Sequence, residues 1–219
     1  YNVNRLIFSI APLRRINGAI EKWIFSITFP LANIKSNFIC KVLLGISQII
    51  FSLITFPYAS RILLPEGIGE VSFIDNLTQY FTILSALGIP IYGIREVAKR
   101  QDNLVELQKL LTELISIHFI ASIISGALYW TIVIHSSKLS SSIDLCQIGL
   151  LLILSHVFVI EWFYQGLEKF KFIVIRTLLI RVLTILLLFL FVKTPQNKSI
   201  YYILNFIGVF VGAATALSA

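Results

Sequence analysis

The sequence predicts an all-α, multi-pass membrane protein, and three observations lead to that class. Hydrophobic residues make up 57% of the 219 residues and charged ones 13%, with a mean hydropathy of +0.88. That is more apolar surface than a soluble domain of this size can bury. The apolar residues also gather into about six runs of roughly 20 residues, the length a helix needs to cross the hydrocarbon core at 1.5 Å per residue. Finally, these runs are too long and too uniformly apolar for barrel strands. Lipid offers no partner for a free backbone N–H or C=O, so each run must be helical.

Taken in order, residues 1–36 form a basic leader whose place in the mature protein the sequence leaves open. Its apolar piece, Trp23 to Ile34, is too short to span and is interrupted by Pro30. It reads as an interfacial segment. No small-x-small cleavage site follows before Lys35, which argues against a signal peptide. Residues 37–219 read as one helical unit with spans near 38–60, 72–94, 114–134, 144–164, 172–192 and 200–219.

Between the first two spans lies Arg61-Ile-Leu-Leu-Pro65-Glu-Gly67-Ile-Gly69, a hairpin marked by Pro65, Gly67 and Gly69. Pro57 interrupts the first span, and Gly88 beside Pro90 makes the inner half of the second a candidate hinge or a fixed kink. The stretch 95–109 extends the third span as helix, with Asp102 or Asn103 as N-cap. "HSSKLSSSID" and "KTPQNKS" are polar turns.

Lysines and arginines set the orientation. Arg5, Arg14, Arg15, Lys22, Lys35, Lys41, Arg95, Lys99, Arg100, Lys109, Lys169, Lys171 and Arg176 fall on one set of flanks; Arg61, Lys138, Lys193 and Lys198 fall on the other. The positive-inside rule makes the N-terminus cytoplasmic. The net charge of +7 then matches anionic lipid and implies no nucleic acid. Cys40 and Cys146 fall at opposite ends of the bundle, so no disulfide joins them.

Neither the thiols nor His118, His135 and His156 have metal-ligand spacing, and no metal or other cofactor is expected. His118 and His156 each stand alone in an apolar stretch, a pattern more typical of bundle histidines than of proton relays. The chain has no D-x-D, H-E-x-x-H, Walker or G-x-S-x-G motif, and no extramembrane domain to hold a catalytic group. It does not read as an enzyme.

The informative residues are ionisable groups inside the spans, each costing about 2.5–3.5 kcal/mol at mid-bilayer. Arg181 is the clearest, about 13 Å into the fifth span. It reads either as a cation lining a cavity for an anionic, phosphate-bearing substrate, or as a structural partner of Glu161 or Asp75. Glu161 and Gln165 lie on one helical face, where a substrate contact and a solvated interfacial carboxylate beside Trp162 are both open. Asp75 enters the second span, where a pair with Arg61 is also open. Lys41 snorkels to the inner surface.

Three stretches together resemble a known family. "FPYASRILLPEGIGEVSF" is similar to the first outer hairpin of bacterial polysaccharide flippases, the O-antigen repeat-unit transporters of the multidrug/oligosaccharidyl-lipid/polysaccharide exporter superfamily. "YFTILSALGIPIYGIREVAKRQDN" and "EWFYQGLEKFKFI" resemble that family's second-helix loop and its junction between helices four and five. Leu64 departs from the family's usual glycine and Ile68 from its aromatic residue.

The resemblance implies one lobe of a two-lobed, MATE-like transporter of the bacterial inner membrane. Such a transporter moves an isoprenoid-pyrophosphate-linked oligosaccharide across the membrane lipid for O-antigen, capsule or exopolysaccharide synthesis, by rocking its lobes. Arg181, with Arg176 and Lys41, would then neutralise the pyrophosphate. A chain that begins with Tyr1 and contains no Met reads as a fragment, so a C-terminal lobe or a partner chain is expected to complete it. The rival readings are a cation-coupled drug exporter, a peptidoglycan-precursor flippase and a non-transporting assembly subunit. The first span carries no carboxylate for ion coordination, which favours the polysaccharide branch.

Overall fold

The computed structural model describes residues 34–140 and 142–217. The leader and its interfacial segment lie outside the described residues, apart from the last three leader positions. Among the described residues the elements are all helical: α1 (Ile34–Ala86), α2 (Ile89–Lys99), α3 (Leu104–His135), α4 (Ser137–Ser140), α5 (Ile143–Ser155), α6 (Glu161–Gly166), α7 (Phe170–Phe191) and α8 (Lys198–Leu217). Short 3₁₀ turns, His156–Phe158 and Pro195–Asn197, follow α5 and precede α8.

Five helical stretches are long and apolar enough to cross a membrane: Ser36–Ala86, Leu104–His135, Ile143–Gly166, Phe170–Phe191 and Pro195–Thr215. The first is folded on itself at one residue. Leu64, at φ 60° and ψ 166°, divides α1 into arms 34–63 and 65–86, each long enough to span. Contacts show that the arms run in opposite directions. Leu44, early in the first arm, accepts from Arg181 on α7, and Tyr58 near its end donates to Val192 O at 2.9 Å. Glu70, early in the second arm, meets Lys198 at 2.6 Å, and Phe81 near its end accepts from Ser125. The chain is therefore a multi-pass membrane protein, with six helical segments of membrane-spanning length among the described residues.

The hairpin is tighter than the sequence predicts. Pro65 opens the second arm, where its missing N–H costs nothing, and Gly67 and Gly69 are helical, so the turn is made by Leu64 alone. Pro57 lies inside the first arm. The second span is also corrected: its helix ends at Ala86, not near Ile94. Leu87 and Gly88 both take positive φ, 47° and 74°, which no right-handed helix can include. Pro90 then sits in the first turn of α2.

The helix α2 is amphipathic and lies over one end of the bundle. Ile89 and Val97 are buried with Trp162 of α6 and with Leu107 and Leu110 of α3, while Arg95 and Lys99 face outward. Gln101 fastens the layer by donating to Gly166 O at 3.0 Å. Asn103, one of the two expected N-caps, accepts from the Glu106 amide at 3.3 Å and starts α3.

Mid-bundle contacts use small and hydroxylated residues, which let helices approach closely where lipid gives no hydrophobic drive. Ser85, Ser122 and Ser125 are almost fully buried, whereas Ile83, Ile120 and Leu179 are mostly exposed to the surround. The central core joins Ile74, Tyr129, Cys146, Ile153 and Tyr202. A second cluster, at the end of the bundle where the α1 arms meet, joins Ala59, Leu63, Leu188, Val192 and Leu204. Both thiols are buried and free.

Candidate functional site

A cavity of about 470 Å³ opens among both arms of α1 and α5 to α8. Four charged groups line it: Asp75, Glu161, Arg176 and Arg181. Local geometry explains why they converge. Asp75 and Gln79 are one turn apart on the second arm, and Thr177, Arg181 and Thr184 follow the same spacing on α7. Asn205, Gly208 and Gly212 do so on α8, where a Cβ on Gly208 would meet the Thr184 hydroxyl at 3.3 Å. The glycine lets α8 close against α7.

The fourth crossing is interrupted where it meets this cavity. After α5, the 3₁₀ turn His156–Phe158 and the non-helical pair Val159 and Ile160 carry the chain to Glu161, the first residue of α6. Val159, Ile160 and Glu161 all line the cavity. Irregular backbone at membrane depth is tolerated where it borders a polar cavity rather than lipid.

The two arginines differ in how their donors are used. Arg181 donates to Leu44 O at 3.1 Å, to Ser47 Oγ and to Gln48 Oε1, all on the first arm. These contacts pin α7 to α1, and the charge of Glu161 acts on Arg181 without an ion-pair contact. Arg176 is Glu161's partner instead, with Nη2 3.9 Å from Oε2, and its guanidinium lies 5.6 Å from the Phe172 ring centroid. The Arg176 side chain is 10% exposed, and its Nε and Nη1 are buried without hydrogen-bond partners among the described residues. A guanidinium carries five N–H donors; Arg181 commits three of them to the first arm, whereas Arg176 holds two donor atoms buried and unpartnered among the described residues.

Of the six predicted site residues, the fold brings Asp75, Glu161, Arg176 and Arg181 together. Gln165 and Lys41 lie off this cavity. Lys41 instead places its ammonium 5.0 Å from the Phe170 ring centroid, and Asp75 lies beside Tyr202. Sequence reasoning missed Gln48, Gln79 and Asn205 as cavity residues. Gln48 and Asn205 are each the lone amide of an apolar span, and Gln79 shares its span with Asn76; that pattern was the available signal.

Where α2 meets α3, Glu96 forms a second cluster, with Lys99 at 2.8 Å, Arg100 at 3.2 Å and Arg95 at 3.5 Å. The hydrogen bond from Lys99, aided by the charges of Lys99, Arg100 and Arg95 and opposed by desolvation, holds the Glu96 carboxyl below its ordinary range.

Residues 34–219 match the family described as "Polysaccharide biosynthesis protein". The chain belongs to this family. Within the polysaccharide biosynthesis family, it is 24% identical over 183 residues to a "Putative O-antigen transporter" of Shigella dysenteriae, covering 84% of this chain and 46% of the relative. It is 21% identical over 168 residues to a protein of the same name from Escherichia coli, covering 77% of this chain and 40% of the relative. The chain thus spans less than half the length of these curated relatives. No solved structure matches it significantly.

Proposed function

We propose that this chain is one lobe of a transporter that moves lipid-linked oligosaccharide repeat units across the bacterial inner membrane, for assembly of O-antigen or a related surface polysaccharide. Family membership and the names of its relatives support transport in polysaccharide biosynthesis. The basic inner flanks support a cytoplasmic N-terminus. Residues 37–219 act as the N-terminal lobe, and alternating access against a second lobe exposes the cavity to each leaflet in turn.

The observation that carries the substrate chemistry is Arg176: a nearly buried guanidinium on a polar cavity, with two unpartnered donors and a long 3.9 Å contact to the Glu161 carboxylate. A phosphate of an isoprenoid-pyrophosphate carrier competes with Glu161 for this group, since guanidinium binds phosphate in bidentate fashion. Glu161 keeps the cation balanced while the cavity is empty. Arg181 holds the wall on which Arg176 stands, so its contribution is positional. Lys41 and Gln165 contribute little to substrate contact.

The test is surface polysaccharide display by the intact protein carrying Arg176→Ala, with membrane abundance measured in parallel. Loss of one bidentate contact lowers export about tenfold or more, equivalent to about 1.4 kcal/mol, at unchanged abundance. Display at the unaltered level would remove Arg176 from the substrate path.

A further inference from the structure

The sequence presents His118 and His156 as isolated histidines, but the fold places their rings 5.6 Å apart, centroid to centroid, edge to face. His118 lies on α3 and is 3% exposed. His156 opens the 3₁₀ turn that interrupts the fourth crossing. Three buried polar atoms lack hydrogen-bond partners here among the described residues: His118 Nε2, His156 Nδ1 and Ser122 Oγ. Ser122 is one turn from His118, and both are buried on α3.

Unsatisfied polar atoms in such a place cost free energy, and three of them gathered at a helix break are not explained by packing. Among the described residues, no charged group on the surrounding elements other than the histidines themselves acts on either imidazole. Glu70 of α1 and Lys198 of α8 pair with each other at the outer end, and Asp144 lies in the first turn of α5. Lys109 and Glu113 pair on the inner half of α3, and Glu106 meets Arg100. Asp75, Glu161, Arg176 and Arg181 line the cavity, and Tyr129 donates to Cys146 O. Among the described residues, the charge that acts on His118 is that of His156.

We propose that His118 and His156 form a binding site for a single proton, filled when the break at 156–160 opens to the cavity and emptied when it closes. Uptake forms one N–H bond between a solvent proton and an imidazole lone pair, and the neighbouring ring, edge to face at 5.6 Å, lies against the resulting imidazolium. No second proton follows, because two imidazolium ions at this spacing repel with no carboxylate between them. The described conformation, with the pair enclosed and no counter-charge among the described residues, is the proton-free one. Val159 and Ile160 follow closely after His156 and form part of the cavity wall, so proton occupancy and the shape of the wall are linked.

The experiment titrates the intact protein, labelled with [¹⁵N]histidine in lipid nanodiscs, from about pH 8 to about pH 4, across the imidazole range. The two resonances are assigned with His118→Gln and His156→Gln, and helical content is checked for each variant. In the unsubstituted protein both imidazoles respond in one shared step that takes up one proton. Each substitution moves the remaining midpoint by a pH unit or more, a tenfold change in proton affinity. Two independent steps overturn the proposal, as does the absence of any step. If a variant fails to fold, the unsubstituted titration decides alone, by whether the step is shared. The site does not depend on what the cavity carries, so this outcome and that of Arg176→Ala are separate.

Discussion

Leu64 reverses the chain between two membrane-spanning arms from a backbone conformation, φ 60° and ψ 166°, that is essentially reserved for glycine. A residue with a Cβ is strained there by about 1–3 kcal/mol. Replacing Leu64 by Gly removes that strain but also removes a side chain that is 52% exposed, so the comparison that isolates the backbone is Leu64→Gly against Leu64→Ala. Both lose the side chain, and only glycine relieves the conformation. Glycine's greater freedom in the unfolded chain costs about 0.4–1 kcal/mol. Leu64→Gly is therefore more stable than Leu64→Ala by up to about 2.6 kcal/mol, the reverse of the usual helical order, in which glycine is worse by about 0.5–1 kcal/mol. The two buried thiols, Cys40 and Cys146, report unfolding through a thiol-reactive fluorophore in detergent. At about 2–4 °C per kcal/mol for a chain of this size, the glycine variant melts up to about 10 °C higher than the alanine variant. An alanine variant that melts at or above the glycine variant would refute the strained turn.

Other positions give equally direct tests. Arg181→Ala leaves Leu44 O, Ser47 and Gln48 without their cationic donor and lowers stability by about 1.5–3 kcal/mol; Arg181→Lys does not restore it, because an ammonium cannot reproduce the planar fork. A melting curve of each variant checks this, and full rescue by lysine would count against the pinning contacts. A methyl on Gly166 would lie 2.7 Å from Val97 Cβ and 3.0 Å from the Ile94 backbone oxygen, so Gly166→Ala destabilises by about 1–3 kcal/mol. Proteolysis near Gln101 rises with it. Glu96, its carboxyl held below the ordinary value of 4.5 by Lys99 and its basic neighbours, contributes stability that is present above that value. The contribution is lost as pH falls through the lower folded value. Glu96→Gln flattens this acid dependence of the melting temperature, and an unchanged slope would show that the cluster is not linked to folding.

The class of the fold and the family motifs are legible in the sequence. Run length and composition report directly on the solvent, and a bilayer leaves the backbone few alternatives to a helix. Residues costly to bury stand out for the same reason, so Arg181, Arg176, Glu161 and Asp75 are conspicuous against the apolar runs that hold them. Some breaks are legible too, though not their form. Gly88 and Pro90 mark the end of the second arm, yet Gly67 and Gly69 are helical while Leu64, with no local signal of its own, makes the turn. That choice belongs to the packing of Leu63 against Leu188 and Val192 at the end of α7.

What only tertiary structure decided is how each polar group is used, since this depends on which helix faces meet across long stretches of chain. Arg181 lies in the same span as Arg176 and looks the better ligand from its depth, but Ser47 and Gln48 engage its guanidinium while Arg176 keeps free donors. His118 and His156 are separated by a whole crossing in sequence and become neighbours only when α3 packs against the break after α5. The sequence by itself determined the solvent, and therefore the helices; the three-dimensional arrangement determined which charges were satisfied, and therefore which remained available for chemistry.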